Sequence, residues 1–215
     1  MNLETRKEFL KELCQKLRPS YLEGYRFFHQ KNSSQFRGAI KEKSSFNDIV
    51  TEWDSKIEEM VKAELKQKFP SEKILGEESI GSNREQISSL LHSEDKLWIL
   101  DPIDGTTNFS KSYPFFSLSL AYAEKNSEGN WSILAGVVYD PVKNEEFLAT
   151  KGHGATLNGK KISVSPESEL KRSLIVTGIT GKNHPEYEKS WRIFRQATEN
   201  CLGSRRDGSA ALELA

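Results

Sequence analysis

Leu3, Leu10 and Leu17 recur every seventh residue with Leu13 among them, so the opening stretch predicts an amphipathic helix that ends near Arg18-Pro19 or resumes after it. The stretch from Ile40 to Asp48 breaks this pattern. A second helix is clearer: Trp53, Ile57, Met60, Val61, Leu65 and Phe69 fall on one face, Asp54 sits in the first turn, and Pro70 stops it. Beyond Pro70 the period shortens toward two. Apolar runs at Ile74-Leu75, Leu97 to Leu100, Phe116 to Tyr122, Ile133 to Tyr139 and Glu146 to Thr150 predict strands. Turns at Asn126 to Asn130 and Asp140 to Asn144 make the last three antiparallel neighbours. Asn158-Gly159, set between apolar positions, predicts a tight hairpin. Leu174 to Thr177 reads as a further strand, and Tyr187, Trp191, Phe194 and Thr198 suggest a helix after Pro185. Ser209 reads as the cap of a last, short helix start. Helices, a run of mainly antiparallel strands, then another strand and helix imply an α+β or α/β layered sandwich. The expected division is an N-terminal α+β half over residues 1–150 and a partial C-terminal α/β half over 151–215, which leaves the second half incomplete.

Composition narrows the classes. Thirty-one Lys and Arg balance thirty-one Asp and Glu, so no net positive field draws nucleic acid. Cys14 and Cys201 are far apart and form no metal-type spacing, which fits a reducing cytoplasm. The N-terminus is charged and has no apolar h-region, and no stretch is long and apolar enough to span a bilayer. A soluble, cytoplasmic protein without nucleic-acid or membrane partners is expected. His29, His92, His153 and His184 are scattered, and Trp53, Trp131 and Trp191 read as core or interface packing.

The densest chemical signal is Trp98-Ile-Leu-Asp101-Pro-Ile103-Asp104-Gly105-Thr106-Thr107-Asn108-Phe109. A strand delivers the chain into an Asp-Gly turn, where the carboxylates of Asp101 and Asp104 converge with the Ile103 carbonyl between them. Such hard oxygens suit Mg²⁺ better than zinc. Thr106, Thr107 and Asn108 are candidate helix caps, so free N–H groups should lie nearby for a phosphate. Asp-Pro-x-Asp-Gly alone is more often a surface turn; its position directly after a strand and its acidic company reverse that reading. Gly76-Glu77-Glu78 also follows an apolar pair, and adjacent strand residues point to opposite faces, so one carboxylate of the two would face a metal. Asp54 alone reads as a first-turn helix acid, stabilised by about 0.3–1 kcal/mol.

Together these stretches resemble the inositol monophosphatase family, within the lithium-sensitive, metal-dependent phosphatases. The resemblance rests on Lys43 to Asp54, Gly76-Glu-Glu-Ser79, Asp101 to Phe109, Gly136-Val-Val-Tyr-Asp-Pro141, Lys151-Gly-His-Gly-Ala155 with Leu157-Asn-Gly159, and Arg206-Asp-Gly-Ser-Ala-Ala-Leu212. It implies the family's αβαβα layered fold and a Mg²⁺-dependent phosphomonoesterase whose N-terminal half binds metal and phosphate. Glu77, Asp101, Asp104 and the Ile103 carbonyl would be metal ligands, with Glu78 behind them. Glu77, Thr106 and Asp54 would be catalytic, Asp54 orienting Thr106. Gly105, Thr106 and Lys43 would bind phosphate. The implied partner is a small phosphorylated polyol, myo-inositol monophosphate first and histidinol phosphate next, with a homodimer as the candidate assembly. The family's downstream Trp-Asp metal signature does not occur before Ala215, so a shortened, non-catalytic metal- or phosphate-binding chain is the alternative.

Overall fold

The computed structural model describes residues 2–30, 40–45, 48–81 and 83–215, with side chains left undescribed over 40–50. Helix α1, Leu3–His29, is capped by Asn2, whose side chain accepts the Thr5 N–H at 2.9 Å. It buries Leu10, Leu13, Cys14, Leu17, Tyr21 and Phe28 along one continuous stripe. The helix does not break at Pro19. Pro19 and Gln15, whose carbonyl loses its partner, are both exposed, so the freed group faces solvent while the apolar face continues.

A hairpin of β1 (Ile40–Ser45) and β2 (Asp48–Thr51) fills the stretch that carried no periodic signal. Thr51 then caps helix α2, Glu52–Lys68, which ends at Phe69 as Pro70 requires. Strand β3, Lys73–Gly76, leads into two helices without a clear sequence signal, α3 (Glu77–Ile80) and α4 (Arg84–Ser93). Then come β4 (Lys96–Asp104), α5 (Thr106–Ser110), β5 (Ser117–Lys125), β6 (Trp131–Asp140), β7 (Glu145–Thr150), β8 (Gly154–Leu157) and β9 (Lys160–Ile162). These strands form one seven-stranded sheet in the order β3-β4-β5-β6-β7-β8-β9. Only the β3–β4 pair is parallel; the remaining pairs are antiparallel. Asn158 and Gly159 both adopt positive φ in the β8–β9 turn, as a two-residue hairpin demands. The sheet continues to Ile162, past the division expected at residue 150.

Helices α1 and α2 cover one face of the sheet, and Leu10, Leu17, Ile57, Val61, Trp98, Leu118 and Tyr139 form the core between them. Arg6 is buried in that layer, its guanidinium 3.7 Å from the Tyr122 ring centroid and paired with Glu72. The opposite face is far barer, with Ile133 53% exposed. The last segment holds β10 (Leu174–Val176) and β11 (Gly203–Arg205), a parallel pair joined through α6 (Tyr187–Asn200), and then α7 (Ala210–Leu214). Helix α6 buries none of its residues, and Trp191, expected as packing, remains exposed. Among the described residues no helix is long and apolar enough to cross a membrane.

Candidate active site

The parallel register pairs Gly76 with Leu100, which brings the next residues, Glu77 and Asp101, abreast just past the end of β3. Asp101 pairs with Ser119 on β5 and Asp104 with Ser117, so one extra residue is bulged out between the two acids. Pro102, with no N–H to give a ladder, lies in the bulge, and its carbonyl accepts a hydrogen bond from the buried Tyr21 hydroxyl of α1. The first helix thus pins the acidic turn from below.

Gly105 follows at φ +95°, where a Cβ would also lie 3.1 Å from the Gly208 carbonyl oxygen. Strain and crowding both demand glycine here. Gly105 is itself the N-cap of α5, so Thr106 opens the helix; none of Thr106, Thr107 or Asn108 occupies the cap position expected for them. Asn108 instead donates to the Phe115 and Asp207 carbonyls, at 2.7 Å each, and ties the turn to the C-terminal segment.

Asp54 serves two purposes at once. One carboxylate oxygen accepts the Thr51 N–H at 2.8 Å and the Thr51 hydroxyl at 2.6 Å, closing a capping box at the start of α2. The other lies 3.0 Å from the Thr106 hydroxyl, which is also 3.0 Å from the Ile103 carbonyl oxygen. Burial pushes the Asp54 carboxyl up to about 6, against the hydrogen bonds from Thr51 and Thr106 that favour its ionised form.

Asp101 is raised well above the usual carboxylate range, by burial first and then by the charges of Glu77 and Asp104. Its side chain is hydrogen-bonded to Glu77, while its Oδ1 atom is buried without a partner. Asp104 turns Oδ2 toward the last segment, accepting the Ser209 hydroxyl at 2.6 Å and the Ala211 N–H at 2.7 Å. Among the described residues no group of three or more His, Cys, Asp or Glu side chains is placed to hold a metal ion as it stands. The charges of Glu77 and Asp104 bear on Asp101, and a divalent cation would offset that repulsion. The orphaned Asp101 oxygen and an all-oxygen donor set fit Mg²⁺.

Glu77 opens helix α3 and does not end a strand, so the opposite-face argument for Glu77 and Glu78 does not apply. Lys43 belongs to β1, and its side chain lies outside the described residues. Sequence reasoning missed Tyr21, Glu58 and the bond from Ser209 to Asp104. Glu58 did leave a trace, as a carboxylate beside Ile57 on the buried face of α2.

The family model of the inositol monophosphatase family matches residues 3–215. Inositol monophosphatase 1 of Pongo abelii is 40% identical over 177 residues, covering 80% of this chain and 60% of its own length. The fructose-1,6-bisphosphatase/inositol-1-monophosphatase of Thermotoga maritima is 39% identical over 179 residues, with 81% and 64% covered. The extragenic suppressor protein suhB of Bartonella henselae superposes at TM-score 0.78 with 30% identity, over 96% of this chain and 72% of that one. The chain therefore spans about three fifths of the length of the curated relatives it matches. Motif order, the sheet with its helical layer, and these matches agree: the chain belongs to the inositol monophosphatase family.

Proposed function

We propose that the chain carries a Mg²⁺-dependent phosphomonoesterase site for a small polyol or sugar monophosphate, myo-inositol monophosphate first. The observation that carries this reading is Asp101, a half-buried carboxyl whose Oδ1 is buried without a partner, loaded by the charges of Glu77 and Asp104. Glu77, Asp101, Asp104 and the Ile103 carbonyl would hold Mg²⁺. Divalent cations bound to such oxygens supply charge that screens a phosphate and makes water more acidic.

The remaining chemistry belongs to the chain. Above about pH 6 Asp54 is ionised and accepts the Thr106 proton, which leaves the Thr106 oxygen free to accept from an attacking water and fix its direction. Glu77 would aim the same water. The Gly105 and Thr106 N–H groups precede the first intrahelical bond of α5 and would hold phosphate oxygens, with Lys43 approaching from the hairpin. Relatives named for inositol monophosphate and for fructose 1,6-bisphosphate support a phosphorylated polyol, and histidinol phosphate is the nearest rival.

The test is phosphate release across a panel of phosphorylated polyols, with and without Mg²⁺. Release from myo-inositol monophosphate that stops on chelation, and falls at least about a hundredfold in Asp104→Asn with the fold kept, is the expected result. Undiminished turnover in Asp104→Asn would defeat it, and Mg²⁺-dependent phosphate binding without release would assign a non-catalytic role.

A further inference from the structure

Helix α3 is a single turn whose cap residue, Gly76, has no side chain to offer, and Glu77 is its first residue. Its capping acceptor comes from elsewhere. Glu58, one turn beyond Asp54 on the buried face of α2, accepts the Glu78 N–H at 2.9 Å, and its side chain is only 2% exposed. The Ser79 hydroxyl also bonds it, and Lys62 pairs with it at 2.8 Å, so a second negative charge beside Glu77 is neutralised locally.

The glycine of Gly76-Glu77-Glu78 follows from this contact. Its φ of −99° is open to any residue, yet a Cβ there would lie 2.7 Å from Glu58 Oε2. Gly76 is small because the Glu58 carboxylate fills the space where a cap side chain would stand. The same helix α2 therefore presents Asp54 to Thr106 and, four residues later, Glu58 to the turn that carries Glu77.

We infer that Glu58 is a positioning residue: by capping α3 from a neighbouring helix it holds Glu77 against Asp101, in the geometry a divalent cation needs. The inference rests on the metal reading above but concerns a residue outside the ligand set. Removing a group that orients a ligand weakens metal binding about 10- to 100-fold.

Mn²⁺ and Mg²⁺ affinities by calorimetric titration, with circular dichroism to check the fold, give the test. Glu58→Ala should weaken binding at least about tenfold, and Glu58→Gln, which keeps an acceptor for the Glu78 N–H, should recover most of it. Wild-type affinity in folded Glu58→Ala would overturn the inference. Should that variant fail to fold, Glu58→Asp decides: it keeps the charge but withdraws the oxygen, so affinity equal to wild type would overturn the inference as well. Should the wild type bind no divalent cation, the metal reading falls by itself. Side-chain NOEs between Glu77 and Asp101 in the metal-free protein then decide the positioning role: lost in Glu58→Ala and kept in Glu58→Gln supports it, kept in both overturns it.

Discussion

Asp54 divides its two oxygens between the helix cap and the candidate site, Oδ2 closing the α2 capping box and Oδ1 meeting Thr106. The two functions should separate by mutation. Thr106→Ala keeps the capping box, so its melting temperature should stay near wild type while phosphate release falls by about 10²-fold or more. Asp54→Asn should lose both activity and about 1 kcal/mol of stability. Equal melting temperatures for the two variants would contradict the division. Asp101 yields a pH prediction. Its folded-state pKa lies above the unfolded value, so the folded chain holds an extra proton at intermediate pH. The stability this contributes is complete below about pH 4 and is lost as pH rises through the elevated folded pKa. The metal-free chain should therefore melt lower as pH rises across that window, and stabilisation by Mg²⁺ should grow over the same range because binding displaces that proton. A Mg²⁺-induced shift in melting temperature that shrinks with rising pH would refute this.

At the level of elements, what could be read in advance followed local rules. The period-two runs marked β4 to β7, Asn158-Gly159 marked the β8–β9 turn, and Pro70 marked the end of α2, because each signal is carried by neighbouring residues. The run Asp101 to Phe109 likewise marked the strand-to-helix turn on which the candidate site is built. Features set by distant partners were not legible. Asp104 meets Ser209 across 105 positions of sequence. Gly24 belongs to the same class: a Cβ there would lie 2.5 Å from both the Phe109 ring and the Trp53 ring, so only glycine lets α1 rest on α2 and α5. Gly24→Ala should cost about 1–3 kcal/mol in chemical denaturation through overpacking, and a variant as stable as wild type would show that the rings move aside freely.

Over the whole molecule, the candidate site is assembled from strand ends, a helix start and the C-terminal segment. Glu77 and Asp101 arrive through the parallel β3–β4 pair, Thr106 through α5, and Asp104 is held from the far end of the chain by Ser209 and Ala211. Helices α1 and α2 back this arrangement, while the other sheet face keeps Ile133 half exposed and α6 buries nothing. The assembly makes sense if its crowded oxygens are meant to share a divalent cation. Titration of the chain with Mn²⁺, followed by water proton relaxation with and without inorganic phosphate, tests this most directly. The account predicts saturable Mn²⁺ binding that phosphate strengthens and that Asp101→Asn weakens by at least about tenfold while the fold is kept. Binding that is undiminished in folded Asp101→Asn would contradict it.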